Sequence, residues 1–230
     1  MAKTKKVILF IVEGITDKTA LGYVLTNLIE RDNETVRFAM TDGDITTKKD
    51  INAGNVISSV NAVVKQALNK NKYQQKDLLS IIHLIDTDGA FVPSSTVQNN
   101  SEAVHIEYSE TSIQTAHMDL ILERNNKKTT IINILRGKKE INKKPYKIFY
   151  FSRNMEHVLH NEIRELSRKE KMKLAEDFDD KYGDNPQDFL NFIRSTVFAT
   201  QGDYEETWNF IKQENHSLER WSNFHLYFEK

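Results

Sequence analysis

The sequence predicts an α/β fold: a parallel sheet sandwiched by helices, followed by an α-helical C-terminal extension. Three observations predict it. Val7–Val12 and Leu78–Ile85 are continuous apolar runs, the pattern of strands covered on both faces. Two segments with apolar residues at helical spacing lie between them, on either side of a short strand pattern over Thr35–Met40. Strand, helix, strand, helix, strand is the order that right-handed crossovers build into a parallel sheet.

Taken in order, the first strand stops at Glu13-Gly14. Ala20, Leu21, Val24, Leu25, Leu28 and Ile29 then mark one helix face, which ends in the polar stretch 30–34. The second strand closes on Thr41-Asp42-Gly43-Asp44, which has turn composition. Val56, Ile57, Val60, Val63, Val64, Ala67 and Leu68 define the second helix, and the third strand stops at Asp86-Thr87-Asp88-Gly89. Residues 91–109 read as a long Ser/Asn/Thr-rich loop, 113–123 as a helix, 136–147 as a lysine-rich loop and 146–151 as a fourth strand. Beyond Asn154 the chain reads as helical over 155–171, 173–181, 187–199, 204–213 and 217–226. The division this suggests is a core over 1–160, with an insertion around 90–147, and a helical extension over 161–230 packed on the core.

Composition narrows the function classes. The chain has 230 residues, 39% hydrophobic and 28% charged, with 8 Gly and 3 Pro, so linker-rich and collagen-like readings fail. Cysteine is absent, which excludes disulfides, thiolate zinc sites and a cysteine nucleophile, and suits a reducing, cytoplasmic setting. The basic start followed by Val7–Val12 is too short to span a membrane and lacks a cleavage-site pattern. A net charge of -1 means that phosphate affinity must come from a local basic patch or from bound cations.

The chemistry-bearing residues gather where strands end. In Glu13-Gly14-Ile15-Thr16-Asp17 a carboxylate at a strand end precedes a second one in the first turn of a helix, and glycine allows a tight turn between them. Asp86 and Asp88, two apart, face the same side if the strand continues through them. Ligands in parallel sheets collect at the carboxyl ends of strands. Four converging carboxylates would raise one another's pKa, and a divalent cation removes that penalty. Oxygen donors without Cys or His favour Mg²⁺, Mn²⁺ or Ca²⁺ over zinc. Asp17 is also a sensible helix-start residue, and Asp-Thr-Asp-Gly is an ordinary turn.

The segments Val12-Glu-Gly-Ile-Thr-Asp17 and Leu84-Ile-Asp-Thr-Asp88 resemble the two signature motifs of the Toprim domain, across about the first ninety residues. The resemblance implies a Toprim-like sheet, with Glu13, Asp86 and Asp88 in catalytic positions, Glu13 as a metal ligand or general acid/base, and Asp86 and Asp88 as a Mg²⁺ pair. The pattern is closest to OLD-like (overcoming lysogenization defect) nucleases. That branch implies a further ligand at Asp17 and, through Phe151-Ser-Arg-Asn-Met-Glu156, one at Glu156. One or two Mg²⁺ or Mn²⁺ ions would serve hydrolysis of DNA or RNA, in defence against mobile elements. No P-loop occurs in the sequence, so the ATPase half of full-length OLD proteins is not expected here, and such a chain would either stand alone or depend on a protein partner for missing functions. The alternative is a non-catalytic, Mg²⁺-dependent module that binds nucleic acid or nucleotide. Nucleotidyl transfer, as in primases, fits least.

Arg136, Lys138, Lys139, Lys143, Lys144 and Lys147 form the one dense basic stretch, suited to a phosphodiester backbone, with Tyr146 available for stacking. A solvated loop is the plainer reading of such a run. Asp42 and Asp44 could share the acidic edge or simply make a turn. His83 reads as a core residue. His157 and His160 flank Glu156, with proton transfer and packing both open to them. Ser152 is the expected cap of the following helix.

Overall fold

A computed structural model describes residues 6–30, 34–41 and 43–229. Along the chain run β1 (Lys6–Val12), α1 (Ile15–Ile29), β2 (Glu34–Met40), α2 (Val56–Lys70) and β3 (Leu78–Asp86). Then come β4 (Val97–Asn99), β5 (Glu107–Tyr108), β6 (Ile113–Thr115), α3 (Met118–Gly137), β7 (Glu140–Ile141) and β8 (Lys144–Phe151). The remainder carries α4 (Met155–His160), α5 (Arg168–Tyr182), α6 (Pro186–Ile193), α7 (Tyr204–Phe210) and a closing 3-10 turn over Phe224–Phe228. The fold is mixed α/β with a mostly parallel central sheet.

The chain divides into two compact units, each made of three separated segments. Unit 1 comprises 1–85, 131–149 and 172–189; unit 2 comprises 86–130, 150–171 and 190–230.

Unit 1 is built on the sheet β2-β1-β3-β8-β7. β1 pairs in parallel with β2 on one side and with β3 on the other. Residues 7–12 of β1 are buried throughout, as a strand covered on both faces should be. Phe10 stacks on Phe38 across the β1–β2 pair with centroids 5.6 Å apart. α1 buries Ala20, Leu21, Val24 and Leu25, the stripe its spacing predicts. The chain leaves β1 toward β2 on one side, then crosses back to lay β3 on the other. The topological switch point of the sheet therefore lies between β1 and β3.

Unit 2 contains a second sheet, β4-β6-β5, with β4 parallel and β5 antiparallel to β6. Val97, Ile113, Ile121 and Leu218 form one of its apolar clusters.

Several expectations are corrected. Residues 113–115 are a strand, and the helix foreseen at 113–123 begins at Met118 and runs to Gly137. The pairing of Ile113–Thr115 with β4 and β5 overrides a weak helical pattern. The lysine-rich loop is instead the end of α3 and a β7–β8 hairpin whose two-residue loop, Asn142-Lys143, has φ 53° and 57° at its two positions. That is the geometry of a type I′ turn, matching the twist of the strands it joins. Residues 161–167, 194–203 and 211–223 lie outside α-helices, so the helices expected over 155–171, 187–199 and 204–213 are shorter than foreseen, whereas the one expected over 173–181 is longer and runs from Arg168 to Tyr182.

Candidate functional site

In unit 1, Glu13 directly follows β1 and is partly buried. Asp17 sits in the first turn of α1, and its Oδ2 accepts hydrogen bonds from the backbone N–H of Glu13 (3.1 Å) and Gly14 (3.0 Å). The Asp17 carboxylate thus closes the start of the helix, where it also complements the helix dipole. The Glu13 carbonyl accepts a bond from Gly43 N–H (3.0 Å), tying the end of β1 to the turn after β2. Gly14 has φ −147°, an extended conformation open to any residue, and a Cβ there would meet nothing within 4 Å. The steric reason expected for glycine is therefore absent. Asp44 is a turn residue: its Oδ1 accepts from Thr46 N–H at 2.8 Å and its Oδ2 from the Thr47 hydroxyl at 2.9 Å. Asp42 lies outside the described residues.

Asp86 is the last residue of β3. Asp88 lies beyond the strand in a left-handed conformation, φ 47°, so strand alternation does not govern its direction. Within unit 2 the turn after Asp86 is pinned from several sides. Thr87 N–H donates to Phe151 O (3.0 Å), and the Thr87 hydroxyl donates to Ser217 O (2.9 Å). Asp88 N–H donates to Arg153 O (2.8 Å). α3 brings three polar side chains to the same turn: Arg124 Nη2 donates to Asp88 O (3.0 Å), Asn125 to Gly89 O (3.3 Å), and Lys128 Nζ lies 2.6 Å from Asp88 Oδ2. The Lys128 side chain is fully buried, whereas that of Asp88 is 28% exposed.

Sequence reasoning missed Lys128 because the expected helix stopped at residue 123, five residues short of it, whereas α3 runs to Gly137. Its signal was available in the spacing of Arg124 and Lys128, one turn apart on the same helix face.

Glu156 is the second residue of α4, buried, with Lys171 Nζ 3.1 Å from its Oε1. α4 is capped by Asn154, whose Oδ1 accepts from His157 N–H (2.9 Å). Ser152 does not cap it: that hydroxyl donates to the carbonyls of His216 (2.8 Å) and Glu219. His157 is buried, and burial, followed by the charges of Arg153 and Arg220, lowers its pKa to about 4. A neutral, enclosed imidazole is a packing group.

His83 is likewise buried, its pKa lowered to about 4 by burial and only partly restored by Asp44. Its Nδ1 lies 2.7 Å from the Tyr146 hydroxyl. Tyr146 is thereby a core residue and is not available for stacking on a base. Lys138, Lys139, Lys143 and Lys147 are exposed on or near the hairpin, with Arg136 and Lys144 half-buried.

Among the described residues no three His, Cys, Asp or Glu side chains are grouped so as to hold a metal ion. Asp17 is engaged at the start of α1, and Asp88 with Lys128. A hexahydrated-type ion such as Mg²⁺ asks less: one or two carboxylates, with waters and substrate phosphates completing its shell. Glu13 directly follows β1 and Asp86 is the last residue of β3, two strands that pair in parallel. Comparison with family models, with curated proteins and with solved structures returns no match.

Proposed function

We propose that this chain is a divalent-metal-dependent phosphodiester hydrolase acting on DNA or RNA, with its metal at the β1/β3 switch point. The observation that carries the reading is the parallel pairing of β1 and β3, with Glu13 directly after β1 and Asp86 at the last position of β3, at the carboxyl ends of strands where α/β folds bind ligands. The two strand-end motifs resemble those of Toprim nucleases, and that resemblance supplies the reaction class. Glu13 and Asp86 are the carboxylates that would bind Mg²⁺ or Mn²⁺; when bound, such an ion activates water and stabilises the departing oxygen. Asp17 holds the Glu13-Gly14 backbone in position, and Lys128 offsets the charge of Asp88. The exposed lysines of the β7–β8 hairpin supply phosphate contacts of the sequence-independent kind. A cytoplasmic defence role against mobile elements belongs to the same reading and rests on the OLD-like resemblance.

The test uses purified protein with circular DNA, single-stranded DNA and structured RNA, with Mg²⁺, with Mn²⁺ and with chelator. We expect metal-dependent cleavage of at least one substrate, reduced about 100-fold or more by Glu13→Gln and by Asp86→Asn. No cleavage of any substrate, or cleavage indifferent to both substitutions, removes the hydrolase reading. A second reading is a metal-assisted module that binds nucleic acid or nucleotide without turnover. Calorimetric binding of nucleic acid that needs Mg²⁺ yet leaves the strand intact would favour it.

A further inference from the structure

Unit 2 contains a cleft of about 530 Å³, within the size range of small-ligand sites. Arg153 lines it, and this residue is built into place in a costly way. It is 4% exposed, and its Nε and Nη1 are buried without a hydrogen-bond partner. A buried guanidinium lacking acceptors is strongly disfavoured unless something supplies them. Its backbone adopts φ 55°, sparsely populated for a residue with a Cβ. Three main-chain bonds enforce that conformation: Arg153 N–H donates to Thr87 Oγ1 (2.8 Å) and Ser217 O (3.1 Å), and Arg153 O accepts from Asp88 N–H (2.8 Å).

The guanidinium lies over the ring of Tyr108, 4.8 Å from its centroid, and Tyr108 also lines the cleft. The ring is held in turn by Arg124 Nη1, which donates to its hydroxyl at 2.7 Å. Burial pulls the Arg153 pKa below the ordinary arginine value, while the Tyr108, Asp88, Glu156 and Glu162 charges oppose that pull. Arginine remains charged at neutral pH under such a shift. Elsewhere in the lining, Lys171 pairs with Glu156 (3.1 Å), and Arg164 pairs with Glu162 (3.2 Å) and Glu170 (3.1 Å). Ile106 and Leu166 give the cleft an apolar portion, and His105 and His117 add ring nitrogens.

We propose that this cleft binds a phosphate monoester of mononucleotide size, whose phosphate oxygens take the fork of Arg153. A guanidinium donates two parallel hydrogen bonds to phosphate from one edge of its fork, so one ligand group supplies acceptors to this buried cation. The cleft volume exceeds a bare anion, and the organic part of the ester packs on Ile106 and Leu166. This inference does not rest on the hydrolase reading.

The experiment is calorimetry and thermal denaturation of the full chain in chelator, with adenosine 5′-monophosphate, inorganic phosphate and adenosine as probes. Without divalent ion, no outcome here depends on cleavage. The monophosphate is expected to bind and to raise Tm, with adenosine binding at least about tenfold more weakly. Arg153→Gly, which suits φ 55° and so preserves the fold, should weaken monophosphate binding by about tenfold or more. Arg153→Lys, keeping the charge but losing the fork, should fall between the two. No monophosphate binding, equal binding by Arg153→Gly and the native chain, or equal binding of adenosine and its monophosphate would overturn the proposal.

Discussion

Asp88 occupies a backbone conformation that its neighbours impose. Its φ of 47° is held by the bond to Arg153 O, by Arg124 on its own carbonyl, and by the 2.6 Å contact with buried Lys128. Pairs in which one member is buried are costly to break, because the buried charge loses its compensation. Asp88→Asn is therefore expected to destabilise the protein by about 3 kcal/mol. Lys128→Met should cost less, since the remaining Asp88 side chain reaches solvent. The double variant should recover on the order of 1–3 kcal/mol relative to additivity, measured by urea denaturation of all four forms. Strict additivity would mean that the ion pair contributes nothing.

The turn that links the end of β3 to unit 2 is an element in its own right. Thr87 anchors it with both its N–H and its hydroxyl, and Gly89 completes it at φ 71°. A Cβ on Gly89 would come within 2.6 Å of Leu218 Cδ2 and 3.0 Å of Ile113 Cδ1. Left-handed backbone and close packing both demand glycine here, unlike at Gly14. Gly89→Ala should cost about 2 kcal/mol or more, read as a drop in the urea midpoint at unchanged m. A neutral result would show that Leu218 repacks freely and that the turn tolerates another conformation.

For the molecule as a whole, charge and pH are the accessible variables. The net charge is -1, yet four exposed lysines are concentrated at one hairpin, so nucleic-acid affinity should be strongly salt-dependent if that hairpin carries it. Among the described residues no helix is long and apolar enough to cross a membrane. Each unit holds a buried histidine whose pKa is lowered from 6.5 to about 4, His83 in unit 1 and His157 in unit 2. The unfolded chain takes up these protons near pH 6.5 and the folded chain near pH 4. Stability from both groups is thus complete above about pH 6.5 and is lost as pH falls toward 4. For His83 alone the loss is on the order of 3 kcal/mol. Denaturation series at neutral and mildly acidic pH should show the decline, and His83→Gln should flatten it; a native profile level across that window would contradict it.

What was legible in the sequence was whatever local spacing dictates. The runs Val7–Val12 and Leu78–Ile85 could only be buried strands, and the apolar stripes of α1 and α2 could only be helix faces, because burial on those faces repeats at a fixed period. The strand-end positions of Glu13 and Asp86 followed directly. The surroundings of Asp88, Arg153 and Glu156 did not. Their partners lie far along the chain: Lys128 40 residues from Asp88, Thr87 66 residues from Arg153. Strands of two or three residues in unit 2 carry no readable period, and their pairing alone defines them. By itself the sequence determined the first three strands of the central sheet and the strand-end places of Glu13 and Asp86. Only the tertiary structure decided which of those carboxylates are already engaged, since long-range hydrogen bonds and buried charges depend on neighbours that no local pattern records.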